Sequence, residues 1–202
     1  MMRFLTLLVL SFLFACASDA PLTEEASATT GGEVPLVLVE PFSTIVSESE
    51  DAATGAERLM QEFPRVTDAG GGGMNVDVSQ QFLAAARRLS DKFPADTAAA
   101  MPLYRAAEVA LALGDPGQAA EIYQTVYGRY RAFSRAPESL FMLAFTYDEN
   151  LNDLERARDR YEEFGRTYPD HPFADDAQML IANLGKSDEE VLRELEARAK
   201  DQ

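Results

Sequence analysis

The chain carries one cysteine, Cys16, one histidine, His171, and no tryptophan among its 202 residues. A single cysteine leaves no intramolecular disulfide and no cysteine-based zinc site, and a single histidine leaves no two-histidine metal motif. His171, between Asp170 and Pro172, has the chemistry of an acid, a base or a ligand. No second histidine or cysteine is present to share that work, so a solvated turn is the expectation there. Asp148-Glu149, Glu162-Glu163 and Asp175-Asp176 are adjacent carboxylates. On a helix such neighbours point about 100° apart, whereas a glycosidase needs two carboxyls facing one substrate. The run Gly70-Gly71-Gly72-Gly73 lacks the Gly-Lys-Ser/Thr of a phosphate loop, and no Asp-x-Asp-x-Asp-Gly loop offers a calcium site. The expectation is no catalysis, no metal and no cofactor.

The formal charge of -16, from 34 acids against 18 bases, disfavours a phosphate backbone as partner. Arg129, Arg131 and Arg135 cluster at one turn and could receive an acidic partner segment, against the alternative of solubilising charge. Arg156, Arg158, Arg160 and Arg166 interleave with Glu155, Asp159, Glu162 and Glu163. Glu162 to Arg166 has the favourable four-residue spacing of a solvated helix face.

Cys16 ends an apolar run, Phe4 to Ala15, that follows the basic Arg3. Twelve residues are fewer than the roughly twenty a membrane-spanning helix needs, so residues 1–15 read as a secretory signal. Leu13-Phe14-Ala15-Cys16 resembles the bacterial lipoprotein processing site, with Phe14 in place of the smaller residue usual there. The competing readings are an ordinary thiol near a cleavage site and a short buried helix. The resemblance implies a Cys16 bearing a thioether-linked diacylglycerol and an amide-linked acyl chain. At about 0.8 kcal/mol per buried methylene, several such chains anchor stably without spanning the bilayer. Ala17, where an aspartate would signal inner-membrane retention in some enterobacteria, points to the outer membrane of a Gram-negative bacterium.

From there the elements that must do the positioning can be traced. Residues 16–50 read as a flexible acidic tether, and residues 16–80 hold 12 acids against 2 bases. Within it, Val34 to Phe42 is an apolar run broken by Pro35 and Pro41, expected as an edge strand at best and better as an extended segment on a helical surface. A partner-docking peptide is the sharper alternative. Residues 51–75 combine a short helix, Asp51 to Phe63, with a glycine hinge at Ala69 to Gly73.

Residues 76–202 carry an internal repeat. Leu154, Ala157, Tyr161, Phe164 and Tyr168 draw one helical face. It recurs thirty-eight residues upstream as Ala119, Tyr123, Val126 and Tyr130, and thirty-seven before that as Phe82, Ala86, Leu89 and Phe93. Each copy ends in an aromatic followed by Pro94, Arg131 or Pro169. Intervening helices are expected over Thr97 to Leu113, Pro137 to Asn150 and Pro172 to Leu184. Gly114-Asp115-Pro116 makes a tight turn, and Asn152-Glu155 and Ser187-Glu190 have capping-box spacing. A final helix bearing Val191, Leu192, Leu195 and Ala199 would cover the end of the stack.

Ala157, Tyr161, Phe164 and Pro169 match the second helix of the tetratricopeptide repeat; Ala119, Tyr123 and Val126 match it with Arg131 in place of the proline. The chain therefore resembles that family over about Val76 to Gln202. The resemblance implies an all-α antiparallel helix-pair solenoid of about three repeats of 37–38 residues plus a C-terminal capping helix. The Tyr-Pro repeat ending and His171-Pro172-Phe173-Ala174-Asp175-Asp176-Ala177 are similar to lipoproteins of cell-division coordination and barrel assembly. Ala144 to Tyr147 and Leu184 to Glu190 look like small lipoproteins of Bacteroidetes-type bacteria.

In such a solenoid the first helices form the concave wall. Carrying the consensus positions over places Tyr104, Glu108, Met142, Thr146, Glu149 and Asn150 there, for an extended peptide or a partner helix; core packing competes for Tyr104 and Met142. The expected function is a lipid-anchored extracytoplasmic scaffold, non-catalytic, with an envelope protein or peptide as partner, no nucleic acid, and the oligomeric state open. An accessory role in an envelope-assembly or cell-division machine is the narrower form. The alternative is a glycan- or nutrient-binding lipoprotein of an outer-membrane uptake system.

Overall fold

A computed structural model describes residues 36–67 and 73–200. The signal segment, Cys16, the tether to residue 35 and most of the glycine hinge lie outside the described residues. Those described are helical throughout: α1 Phe42–Glu48, α2 Ala52–Glu62, α3 Val76–Lys92, α4 Ala100–Ala112, α5 Pro116–Arg129, α6 Ala136–Phe145, α7 Leu154–Thr167, α8 Ala174–Asn183 and α9 Asp188–Lys200. Short 3-10 turns follow α2 at Phe63–Val66 and precede α4 at Thr97–Ala99, and a π turn, Thr146–Asn150, extends α6. No described helix is long and apolar enough to cross a membrane.

Consecutive helices from α2 to α8 pack on one another, so each buries its apolar stripe between two neighbours, as a stack of helix pairs requires. The expected repeat face is the core: Phe82, Ala86, Leu89, Ala119, Tyr123, Val126, Ala157, Tyr161 and Phe164 are all fully buried. Three loops between pairs share one hydrogen-bond pattern. Backbone N–H groups of Asp96, Phe133 and His171 donate to the carbonyls of Phe93, Tyr130 and Tyr168, and those of Ala99, Ala136 and Ala174 donate to Asp96, Phe133 and His171. The loop is thus a repeated unit and not three separate connections.

Turns within pairs are built on left-handed residues: Gly114 at φ 80°, Asn152 at φ 49° and Gly185 at φ 78°. Asp115 and Asp153 then cap α5 and α7 by accepting from the N–H groups of Gln118 and Arg156. The expected Asn152–Glu155 capping box is corrected by this. Asn152 supplies the left-handed turn and its neighbour Asp153 supplies the cap. The second box is present, with Ser187 N–H donating to Glu190 and Glu190 N–H to the Ser187 hydroxyl. It opens α9, on which Val191 is half-buried and Leu192 is 57% exposed. The Leu195 and Ala199 side chains lie outside the described residues.

Residues 36–50, a tether by composition, belong to the packed structure. Leu38, Phe42 and Ile45 are buried, and one face of α3 holds the backbone of the segment. Gln81 accepts from Val39 N–H at 2.9 Å and donates to the Val37 carbonyl at 3.2 Å, Arg88 donates to the Leu36 carbonyl, and Lys92 Nζ donates to the carbonyls of Val46 and Ser47 at 2.9 Å each. Lys92 thereby satisfies carbonyls at the C-terminus of α1, where a cation is favoured. Leu36 to Val39 thus lies on a helical surface, its backbone bonded to Gln81 and Arg88 of α3.

Candidate functional site

The face built by the first helices, α4 and α6, is where the expected partner residues fall, and burial divides them. Tyr104 is 5% exposed and Thr146 is fully buried, so neither offers its side chain to a partner. Tyr104 packs edge-on to Tyr123 at 5.7 Å and to Phe133 at 6.3 Å, and the Thr146 hydroxyl donates to the Met142 carbonyl at 2.7 Å. Met142 is half-buried against the core. Glu108 is partly exposed and paired with Arg105 at 2.7 Å. Glu149 and Asn150 are open to solvent on the π turn.

Around Tyr104 the structure gathers groups that the consensus positions miss. Arg105 lies 5.6 Å over the Phe63 ring and Arg135 lies 5.5 Å over the Tyr104 ring. Tyr123 reaches this face from α5, with Glu108 and Arg105 among the charges acting on it; burial first, and then Tyr104 and Glu108, raise its pKa. Four side-chain atoms that are buried among the described residues have no hydrogen-bond partner: Arg105 Nε, Tyr123 Oη, Glu138 Oε2 and Tyr161 Oη. Each is a group whose hydrogen bond a folded protein normally provides. They belong to α4 and α6 or to tyrosines packed against them.

Tyr161 repeats the placement of Tyr123 one repeat on. It packs edge-on to Phe141 at 5.7 Å and 63°, as Tyr123 does to Tyr104 at 5.7 Å and 65°. Burial, then the charges of Asp148 and Glu149, raise its pKa. Asp148 feels the Tyr161 hydroxyl but the pair falls short of a hydrogen bond. The Asp148 carboxyl is itself raised, by burial first and then by Glu149. Comparing the two repeats in register is the sequence signal that could have singled out both tyrosines.

The arginine cluster is taken apart by the fold. Arg129 reaches back to Asp91 at 3.3 Å and to the Ser90 hydroxyl at 3.0 Å, Arg131 stacks 4.1 Å over Tyr127 and donates to its hydroxyl at 2.9 Å, and Arg135 covers Tyr104. Each guanidinium has its own partner within the chain, and the three form no shared anion basin. His171 holds the loop place of Asp96 and Phe133; its Nδ1 accepts from Phe173 N–H at 3.2 Å and its ring packs against Phe164 and Phe173. That is turn chemistry. Among the described residues no group of three or more His, Cys, Asp or Glu side chains could hold a metal ion.

No curated protein and no solved structure matches the chain. A tetratricopeptide repeat family model matches residues 103–131 and 138–171, the helix pairs α4–α5 and α6–α7, and with the stacked helices on either side the fold is a tetratricopeptide-like helical solenoid.

Proposed function

We propose that the chain is a lipid-anchored, extracytoplasmic scaffold whose α4–α6 face receives a segment of a protein partner, as an accessory subunit of an envelope-assembly or cell-division machine. Tetratricopeptide repeats bind protein partners, and the matched residues here include the two helices of that face, α4 and α6. The observation that carries the reading is the family match over two successive helix pairs of the stack. The anchor rests on the resemblance of Leu13 to Cys16 to a lipoprotein processing site and on the apolar run before it.

Crosslinking in the native envelope, followed by mass spectrometry, tests the scaffold. A protein joined to α4 or α6 is the expected result. Recovery of no protein, under conditions that recover other envelope complexes, overturns it. Replacing Cys16 with Ser is expected to move the chain to the soluble fraction; a variant that still needs detergent sinks the anchor.

A further inference from the structure

The segment that leads into α1 turns its side chains two ways. Leu38 is buried, whereas Val37 is 76% exposed, Val39 56% and Leu36 39%. Val37 and Val39 flank Leu38 and face away from it, as successive side chains of an extended chain do. The α3 row pins that arrangement, because Gln81 holds the Val39 N–H and the Val37 carbonyl while Arg88 holds the Leu36 carbonyl. The other exposed large hydrophobic side chains among the described residues, Val76, Phe173, Met179 and Leu192, lie in α3, α8 and α9 or just before α8, none beside another in the chain. Single exposed apolar residues are ordinary on a folded surface. Three within four positions, on a backbone fixed from behind, make a patch.

The place of this patch in the chain identifies what covers it. Leu36 is twenty residues from Cys16, a length that spans at most about 70 Å and, as a flexible coil, about 25 Å on average. A chain held at Cys16 by acyl groups therefore keeps Leu36 within that distance of lipid, and the patch begins at Leu36. Three aliphatic side chains are too few to bring a free protein to a bilayer, since even one myristoyl chain binds marginally. A tether changes this, because it raises the effective concentration of the second contact to about millimolar. The formal charge of -16 opposes contact with anionic headgroups, so the matching surface is zwitterionic.

Resting on the lipid-anchor reading, we propose that Leu36, Val37 and Val39 are a membrane-contact patch, whose side chains enter the headgroup and upper acyl region of the zwitterionic lipid surface that holds Cys16. The bilayer is then touched twice, by the acyl groups and by the patch. The second contact sets α3 and the helices stacked on it at a fixed orientation to the membrane.

The chain has no tryptophan, so a single introduced tryptophan reports its own surroundings. Val37→Trp, Val39→Trp and, as a control on an exposed residue of α9, Leu192→Trp are made in the full chain, purified from membranes of the native host and reconstituted into phosphatidylcholine vesicles with brominated acyl chains. Flotation of the vesicles reads the anchor separately. Quenching and blue-shifted emission at positions 37 and 39, with neither at 192, are expected in chains that float. Floating chains with unquenched tryptophans at 37 and 39 would overturn the patch and leave the anchor standing, and equal quenching at all three positions would overturn it as general adsorption. Chains that do not float lose the anchor and the patch together. A photo-crosslinker at position 37 that captures a protein in the native envelope, where lipid quenching at 37 and 39 is absent, would assign the segment to a protein partner and overturn the lipid contact.

Discussion

Asp153 N–H donates to the Tyr147 carbonyl at 2.8 Å, six residues back, whereas its counterpart in the preceding repeat, Asp115 N–H to the Ala110 carbonyl at 2.9 Å, spans five. Ala110 and Tyr147 are 37 residues apart and Asp115 and Asp153 are 38 apart. The one extra residue of the longer repeat is therefore localised between Tyr147 and Asp153. The chain absorbs it as a π turn without disturbing the helix pairs on either side, and that turn is what carries Asp148 and Glu149.

The same turn makes Asn152 sensitive. It holds φ 49°, where the preceding repeat has Gly114 at φ 80°. Asparagine tolerates the left-handed region and alanine does not. Asn152→Ala is expected to cost about 1 kcal/mol and Asn152→Gly to be neutral or mildly stabilising, read from urea melts. Equal stability of the two variants would remove the backbone argument.

Glycine substitutions should divide by sign. A Cβ on Gly55 would meet Leu89 Cδ1 at 2.5 Å and Ser49 Oγ at 2.8 Å, so the glycine lets α2 approach α3. Gly55→Ala is expected to lose about 1–3 kcal/mol from overpacking. Gly128 and Gly165 lie in helices with open space around a Cβ, and alanine there should gain about 0.5 kcal/mol or more each from helix propensity. Thermal melts of the three single variants decide it.

Much of the fold is legible in the residues themselves, because the repeat face sets which of them are buried and turn chemistry sets where helices end. Phe93, Tyr130 and Tyr168 end α3, α5 and α7 in the same way, each donating its N–H to the carbonyl four residues back. Tyr130 does so although Arg131 follows it, so the proline at the other two copies is not required for the stop. Its hydroxyl, 2.7 Å from the Ser90 hydroxyl, pins that helix end instead. The wall residues are harder to read. Consensus positions put Tyr104 on the wall with core packing as its alternative, and burial decides for the core; they give no sign that Thr146 turns inward to donate to the Met142 carbonyl. Residues 36–50 mislead because composition registers their acids and Pro41, not the Gln81, Arg88 and Lys92 row that receives their backbone.

Tyrosine hydroxyls give a second test of sign. The Tyr130 hydroxyl is hydrogen-bonded to Ser90 in the core, and Tyr130→Phe removes that bond, leaving the Ser90 hydroxyl with Arg129 alone, at an expected cost of about 1 kcal/mol. Tyr123 and Tyr161 bury hydroxyls without partners, so Tyr123→Phe and Tyr161→Phe are expected to stabilise by about 1 kcal/mol. A loss of stability in Tyr161→Phe would show that Asp148 and the hydroxyl are in fact bonded. A gain would identify a polar group retained at the expense of stability.

Asp148 makes a prediction about pH. Its carboxyl is raised in the fold, by burial and by Glu149, so the folded chain holds that proton more tightly than the unfolded chain does. Where the folded state binds more protons, stability falls as pH rises. The penalty is therefore absent below the unfolded value of 3.8, grows as pH climbs through the raised folded value, and is complete at neutral pH. Asp148→Asn removes the charge and keeps the shape, so it should raise the melting temperature at pH 7 and lose that advantage as pH drops below 3.8. Asp153 has the opposite sign. Its carboxyl is lowered by the backbone N–H and side chain of Arg156, so its cap stabilises above the unfolded value and is lost as pH falls through the folded one. Asp153→Asn, which keeps a capping oxygen but not the charge, should cost stability at pH 7 and little in acid. Melting temperatures of both variants across pH 3 to 7 should therefore converge on the parent at low pH from opposite sides, and parallel curves for the two would contradict the assignment of opposite roles to these acids.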